Sequence, residues 1–258
     1  MQDLKITIIQ SSLHWEDIDA NLSMFEEKIQ SISEQTDLIV LPEMFNTGFT
    51  MNAEKLHENM DGKTMTWMRE IARKTNAAIT GSLIIREADN FYNRLIWMQP
   101  DGIFKYYDKR HLFRLANEQK FYSAGKEKLI VELNGWKICP MICYDLRFPV
   151  WNRNADGYDL LLIAANWPEK RIYAWKQLLV ARAIENESFV IGVSCVGIDG
   201  NEIQLSGASS VIDYEGKILW QAEQEQAIKT ISLSKDDLVK WRRTFPFWKD
   251  ADRFKIED

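Results

Sequence analysis

Residues 137–149 read KICPMICYDLRFP. The first half is a strand, since Ile138, Met141 and Ile142 supply a short apolar run. The second half, from Tyr144 to Pro149, is polar and turn-like. Cys143 stands at the break. A side chain that ends a buried strand just before a sharp turn is held rigidly and still faces a cleft. Strand-to-helix elbows present covalent nucleophiles in this way. The thiolate is the reactive form, so a neighbour has to take the proton or stabilise the anion. The opposing reading is a buried structural cysteine, because free Cys packs as a small hydrophobe.

On both sides of this stretch strands alternate with helices. Short apolar or alternating runs predict strands at 4–10, 37–41, 77–85, 160–164, 189–195 and 227–233. Apolar residues at helical spacing predict helices at 18–32, 64–76, 171–186 and 235–242. In the third of these, Trp175, Leu178, Leu179 and Ile184 are assigned to one face. Turn residues mark three hairpins, at Pro100-Asp101-Gly102, Asn134-Gly135 and Tyr214-Glu215-Gly216. A purely parallel sheet has no place for tight hairpins. The pattern therefore predicts an α/β fold of two mixed sheets packed together with helices outside, a four-layer αββα sandwich. No Gly/Ser/Pro-rich linker interrupts the chain, which reads as one domain over residues 1–258. Its aromatic, charged arm, about 243–258, packs on a partner subunit or on its own domain.

Composition narrows the function. Of 258 residues, 46% are hydrophobic and 27% charged, which suits a globular chain with a substantial core. A net charge of −6 argues against non-specific binding to nucleic acid or anionic membranes. The N-terminal residues enter a strand pattern without signal-peptide features, and no apolar run reaches the ~20 residues of a membrane span. A cytoplasmic location is the expectation. Cys139, Cys143 and Cys195 make no disulfide framework. His14, His57 and His111 do not pair at metal-ligand spacing, so no metal is expected.

Three reactive residues lie just past predicted strands: Glu43, Lys109 and Cys143. In α/β sheets functional groups gather beyond the carboxyl ends of the strands. A thiol attacks a carbonyl carbon, a carboxylate moves its proton to the departing amine, and a cation faces the oxygen that becomes negative. That set suffices for acyl transfer through a thioester without a cofactor. Singly, each residue has a plainer use. Glu43 can be a turn residue or helix cap, and Lys109 part of a wet charged loop. A Cys143–His111 pair is the other catalytic arrangement.

Taken together, Leu41-Pro42-Glu43, residues 107–112 (YDKRHL) and residues 142–149 (ICYDLRFP) resemble the three motifs of the nitrilase superfamily of carbon–nitrogen hydrolases. The resemblance runs from residue 4 to about residue 240. It implies the αββα sandwich, usually dimerised, with no cofactor. It implies Glu43 as general base, Lys109 as electrostatic stabiliser and Cys143 as nucleophile. Glu118, a few residues before Gly125, matches the second glutamate that orients the lysine and positions substrate. Lys109 and the backbone N–H of Tyr144 would form the oxyanion hole. CYDLRFP, with ANWPEKR and ARAIEN, is similar to the omega-amidase branch, whose members hydrolyse the terminal amide of 2-oxoglutaramate and 2-oxosuccinamate.

Such a substrate carries a carboxylate at its far end, which arginine binds bidentately. Arg114, Arg147 and Arg171 are the candidates, although Arg147 can instead pair with Asp145 and brace the elbow. Phe113 and Trp167 are expected as pocket walls. Asn166 is expected either to contact substrate or to cap the helix at Arg171. Two further readings stay open: an amidase for another small acyl group, such as deaminated glutathione, and an inactive ligand-binding scaffold.

Overall fold

Strand pairing divides the computed structural model, which describes residues 2–256, into two six-stranded mixed sheets. In chain order the first half comprises β1 (Leu4–Gln10), α1 (Ile18–Gln30), β2 (Leu38–Val40), α2 (Ala53–Leu56), α3 (Lys63–Thr75), β3 (Ala78–Glu87), β4 (Asn90–Met98) and β5 (Phe104–Asp108). There follow β6 (Val131–Leu133), β7 (Trp136–Ile142), α4 (Pro149–Asn152), β8 (Leu160–Ala164), α5 (Ile172–Asn186) and β9 (Phe189–Val193). The last part holds β10 (Val196–Ile198), β11 (Gln204–Ser206), β12 (Ser210–Ile212), β13 (Ile218–Gln221), β14 (Ala227–Leu233) and α6 (Lys235–Thr244). One sheet runs β14-β1-β2-β3-β4-β5 and the other β13-β12-β9-β8-β7-β6. Strands β10 and β11 make a separate ribbon.

The expected four layers are present. Leu22, Phe25 and Ile29 of α1 and Met65, Met68 and Ile71 of α3 pack on one face of the first sheet. The other face, with Ile6, Ile8 and Val40, meets Trp136, Ile138, Leu162 and Ile191 of the second sheet. Trp175, Leu179 and Ala183 of α5 cover the far side. Burial on both faces explains why β2, β8 and β9 read as unbroken apolar runs.

Local chemistry sets the boundaries. Asp17 caps α1, its Oδ1 accepting from Ala20 N at 3.0 Å. Asn76 ends α3 in the left-handed region at φ 51°. The three expected hairpins form, and β3 and β4 add another, turning at Ala88 with φ 52°. One helix-face assignment is corrected: Ile184 is 53% exposed, and the buried face of α5 is Trp175, Leu179, Arg182, Ala183 and Asn186. Position 184 falls about 100° away from position 183, outside that stripe. The C-terminal arm docks on its own chain through Trp248 N, which donates to Glu187 Oε2 at 2.8 Å. Its last two residues lie outside the described ones.

Pro140 sits inside β7, where a missing N–H would ordinarily break a ladder. Strand β6 pairs only with Trp136, Lys137 and Ile138, so β7 is an edge from Cys139 onward and Pro140 faces no partner on that side. The bare edge leads directly to Cys143.

Cys139 predicts an alkaline weakness. Burial pushes its thiol up to about 12, above an unfolded value near ~8.5. Its stabilising preference for the protonated form is complete below that unfolded value and is lost as pH rises toward the folded one. Urea midpoints should therefore fall between about pH 9 and 11, and the fall should be shallower in Cys139→Ala by up to ~1.4 kcal/mol per pH unit. Identical slopes in the two proteins would show that this thiol does not titrate on unfolding.

Candidate active site

Four strand ends build one site. Strands β2 and β3 are parallel, β4 reverses, and β5 reverses again, so β2 and β5 leave the first sheet on the same side. Strands β7 and β8 are parallel in the second sheet, with Ile142 opposite Ala164. Glu43 follows β2, Lys109 follows β5, Cys143 follows β7 and Asn166 follows β8.

Glu43 is fully buried, and donors fix both of its oxygens. Its Oε1 accepts from Lys109 Nζ at 2.8 Å and Asn93 Nδ2 at 2.8 Å. Its Oε2 accepts from Asn166 N at 3.0 Å, and its backbone carbonyl accepts from Asn166 Nδ2 at 2.6 Å. Of its two expected uses, the helix cap is not the one taken, while Asn166 does stand in the wall of the cavity. Its amide NH₂ is turned to Glu43, and α5 has no side-chain cap.

Lys109 is set by its neighbours in the chain and across the sheet. Arg94 clamps Asp108, with Nε to Oδ1 at 2.7 Å and Nη2 to Oδ2 at 2.9 Å. Lys109 N donates to Asn93 O at 3.0 Å, and Gly125 N donates to Lys109 O at 3.0 Å. A Cβ on Gly125 would lie 2.1 Å from Asp108 O, so only glycine permits this approach. The ammonium reaches Glu43 and, at 3.0 Å each, both oxygens of Glu118. Glu118 Oε2 also accepts from Phe113 N at 2.5 Å. Burial alone would lower the Lys109 pKa, but the carboxylates of Glu118 and Glu43 reverse this and hold it above its ordinary value. Burial pushes Glu118 up; Lys109 opposes the rise and Glu43 adds to it.

Cys143 opens a 3₁₀ turn, Cys143–Arg147, in the left-handed region at φ 42°. A non-glycine residue held there is strained, and such strain clusters at functional elbows. Asp145 braces the turn. Its carboxylate accepts from Ile142 N at 3.2 Å, Tyr107 Oη at 2.8 Å and His111 N at 3.0 Å, and it contacts His111 Nδ1 at 2.8 Å. His111 also stacks on Phe148, 3.7 Å between ring centres. It belongs to the brace, and the Cys143–His111 pairing is set aside. Burial raises the thiol's pKa well above its usual value; Glu43 adds to the rise while Lys109 and the Asn166 N–H oppose it. The resting sulfur is thus a neutral thiol beside the Glu43 carboxylate. The Tyr144 N–H lies in the first turn, where backbone donors lack partners within the helix.

Cys143, Glu43 and Lys109 line a cavity of about 490 Å³. Phe113, Tyr144, Arg147, Asn166 and Trp167 line it too, as does Arg171. Arg114 does not belong to the lining. Arg147 lies over the Trp167 ring at 5.1 Å and Arg171 over Phe113 at 5.0 Å. The expected Arg147–Asp145 pair does not form, because Asp145 is occupied by the brace. Trp15, Glu16 and Phe49 are wall residues that sequence reasoning passed over. Asn93 was also missed. Its signal was an amide beside Arg94, just ahead of the apolar run Leu95–Met98 of β4.

The carbon–nitrogen hydrolase profile matches residues 5–243. The chain belongs to the carbon–nitrogen hydrolase family. Among relatives of this carbon–nitrogen hydrolase, omega-amidase YafV of Yersinia enterocolitica is 46% identical, covering 99% of this chain and all of that one. A 2-oxoglutaramate amidase of Bacillus subtilis is 33% identical over 95% of this chain and 96% of its own. The crystal structure of XC1258 from Xanthomonas campestris, a CN-hydrolase superfamily protein with an arsenic adduct in the active site, superposes with a TM-score of 0.98. It is 44% identical, with full coverage of both chains. The hydrolase is an amidase of the nitrilase superfamily, in the omega-amidase branch.

Proposed function

We propose that the chain hydrolyses the terminal amide of a small ω-amido-2-oxo acid, 2-oxoglutaramate or 2-oxosuccinamate, to ammonia and the dicarboxylic keto acid. The observation that carries this reading is one pocket lined both by a thiol, a carboxylate and an ammonium and by two guanidinium groups. Burial and the neighbouring Arg147 both lower the Arg171 pKa, and both guanidinium groups line the pocket. Among the described residues neither pairs with a carboxylate, and a substrate carboxylate would fill that role. The relatives' names point to the same substrate class.

In this reading Glu43 takes the Cys143 proton as sulfur attacks the amide carbon. Lys109 and the Tyr144 N–H hold the oxygen that becomes negative. The carbon–nitrogen bond breaks, and the proton on Glu43 leaves with ammonia. Water, deprotonated by Glu43, then attacks the thioester and frees the acid and the thiol. Glu118 keeps the ammonium in place. The single-domain reading of 1–258 belongs to the same proposal, supported by β14 completing the sheet that begins with β1. So does assembly as a homodimer or larger oligomer, supported by the exposed Phe247 and Trp248. Three free thiols suit a reducing compartment, and we place the enzyme in the cytoplasm.

Ammonia release tests the substrate. The expected order puts 2-oxoglutaramate and 2-oxosuccinamate above glutamine, deaminated glutathione and propionamide. Arg171→Met should raise KM for the oxo acids ~10- to 100-fold, the scale of a lost charge-assisted bond, and leave propionamide unchanged. Preference for deaminated glutathione would move the enzyme to that acyl group, and equal rates on every amide would remove the arginines from recognition.

A further inference from the structure

Asn93 is fully buried in β4 and does not line the pocket. Its Nδ2 donates to Glu43 Oε1 at 2.8 Å and to Glu118 Oε1 at 3.4 Å. Lys109 Nζ binds the same two oxygens, at 2.8 and 3.0 Å. An ammonium and an amide thus clamp one oxygen of each carboxylate from two directions. The Asn93 carbonyl also accepts from Lys109 N, so one residue registers the lysine backbone and holds its two acids. The amide has one workable orientation. Turned over, its Oδ1 would face two carboxylates; as placed, Oδ1 is buried and accepts nothing. An acceptor left unpaired in the interior costs free energy. That cost marks a position where donors to the acids outweigh a satisfied carbonyl.

The clamp makes the two oxygens of Glu43 unequal. Oε1 carries two donors, one of them charged, while Oε2 carries the single Asn166 N–H. The lone pair available to the thiol proton is therefore on Oε2. The charged and titratable groups facing Glu43 are Lys109, Glu118 and Cys143, with Tyr122 and Cys195 within electrostatic reach.

We propose that Asn93 is a positioning residue for the hydrolysis, its amide saturating Glu43 Oε1 and bridging Glu43 to Glu118 so that the thiol proton is received on Oε2. The inference rests on the reading of Glu43 as base. Loss of the amide donors removes stabilisation of the carboxylate pair, so the acidic limb of the kcat/KM profile moves to higher pH.

The test measures ammonia release from 2-oxoglutaramate against pH for Asn93→Leu, which keeps the shape, and Asn93→Ser, which keeps one donor. Asn93→Leu should lower kcat ~10- to 100-fold, the scale of a lost hydrogen bond to a charged group, with KM unchanged and the acidic limb displaced upward. Asn93→Ser should fall between it and the parent. Where Asn93→Leu fails to fold, as judged by circular dichroism, the limb of Asn93→Ser decides. A limb that stays in place, or a loss carried by KM, overturns the inference. Glu43→Gln measured alongside separates the two layers. Activity retained there removes the base itself, whereas an inactive Glu43→Gln with an unmoved Asn93 limb removes only the role given to Asn93.

Discussion

Replacing Cys143 by alanine should stop ammonia release while leaving the fold intact. The sulfur is the atom that forms the bond to carbon, and among the described residues no other thiol lines the cavity. Loss of a nucleophile from a concerted set costs on the order of 10⁶ in kcat, which in practice reaches the detection limit. The fold should persist because the elbow is held by Asp145 and its four contacts, none of which uses the thiol. Circular dichroism and the thermal midpoint check that half. Mass spectrometry checks the other: the parent, quenched during turnover, should carry the acyl group, and the variant should not. Ammonia release by the variant at more than about a hundredth of the parental rate would end the thioester mechanism. A scaffold without chemistry would show no acyl adduct in either protein.

Lys109→Ala is expected to damage both rate and stability. The rate should fall ~10²–10³-fold or more, the scale of one lost oxyanion donor. Removing the ammonium also leaves Glu43 and Glu118 buried without their cation, and breaking a buried pair in this way costs ~3–5 kcal/mol. The two effects separate by pH. In the parent, Lys109 stays protonated beyond its ordinary range, so its contribution is in place below about pH 10 and changes little across neutrality. In the variant, Glu118 keeps its burial and its repulsion from Glu43 but loses the opposing charge. Its carboxyl should then bind a proton more tightly folded than unfolded, and the stability deficit should shrink as pH falls. Activity should not return with it. Urea midpoints and single-turnover rates from pH 5 to 8 measure both. A rate loss below tenfold would leave Lys109 a structural role only.

Much of this was legible in the sequence because strand ends carry strong signals. Pro42 stops β2 and Asn134-Gly135 turns β6 into β7, so Glu43 and Cys143 each read as standing just past the end of a strand. Lys109 followed from the hairpin at Pro100-Asp101-Gly102, whose return strand fixes where the lysine emerges. What stayed hidden depends on contacts distant in the chain. Asn166 lies 123 positions from Glu43, and Asn93 lies 50 positions away. No local pattern reports which polar side chain meets which across two sheets. Arg147 and His111 show the same limit. Both are close in sequence to Asp145 or to a motif, yet the brace takes His111 and leaves Arg147 to the cavity. Ile184 was misplaced for a smaller reason, since apolar character alone does not fix the angle at which a helix meets its sheet.

At rest the Lys109 ammonium is held against three carboxylate oxygens, one of Glu43 and both of Glu118. On the mechanism above, a neutral amide arriving in the pocket therefore meets a cation whose charge is already shared with two acids. When the sulfur's proton reaches Glu43 that acid loses its negative charge and its hold loosens, so the ammonium turns its field to the substrate oxygen just as negative charge appears there. The cation is thus released by the same proton movement that creates the need for it. Such a pocket should favour tetrahedral adducts over planar amides, a selectivity built from proton bookkeeping among buried acids and not from shape.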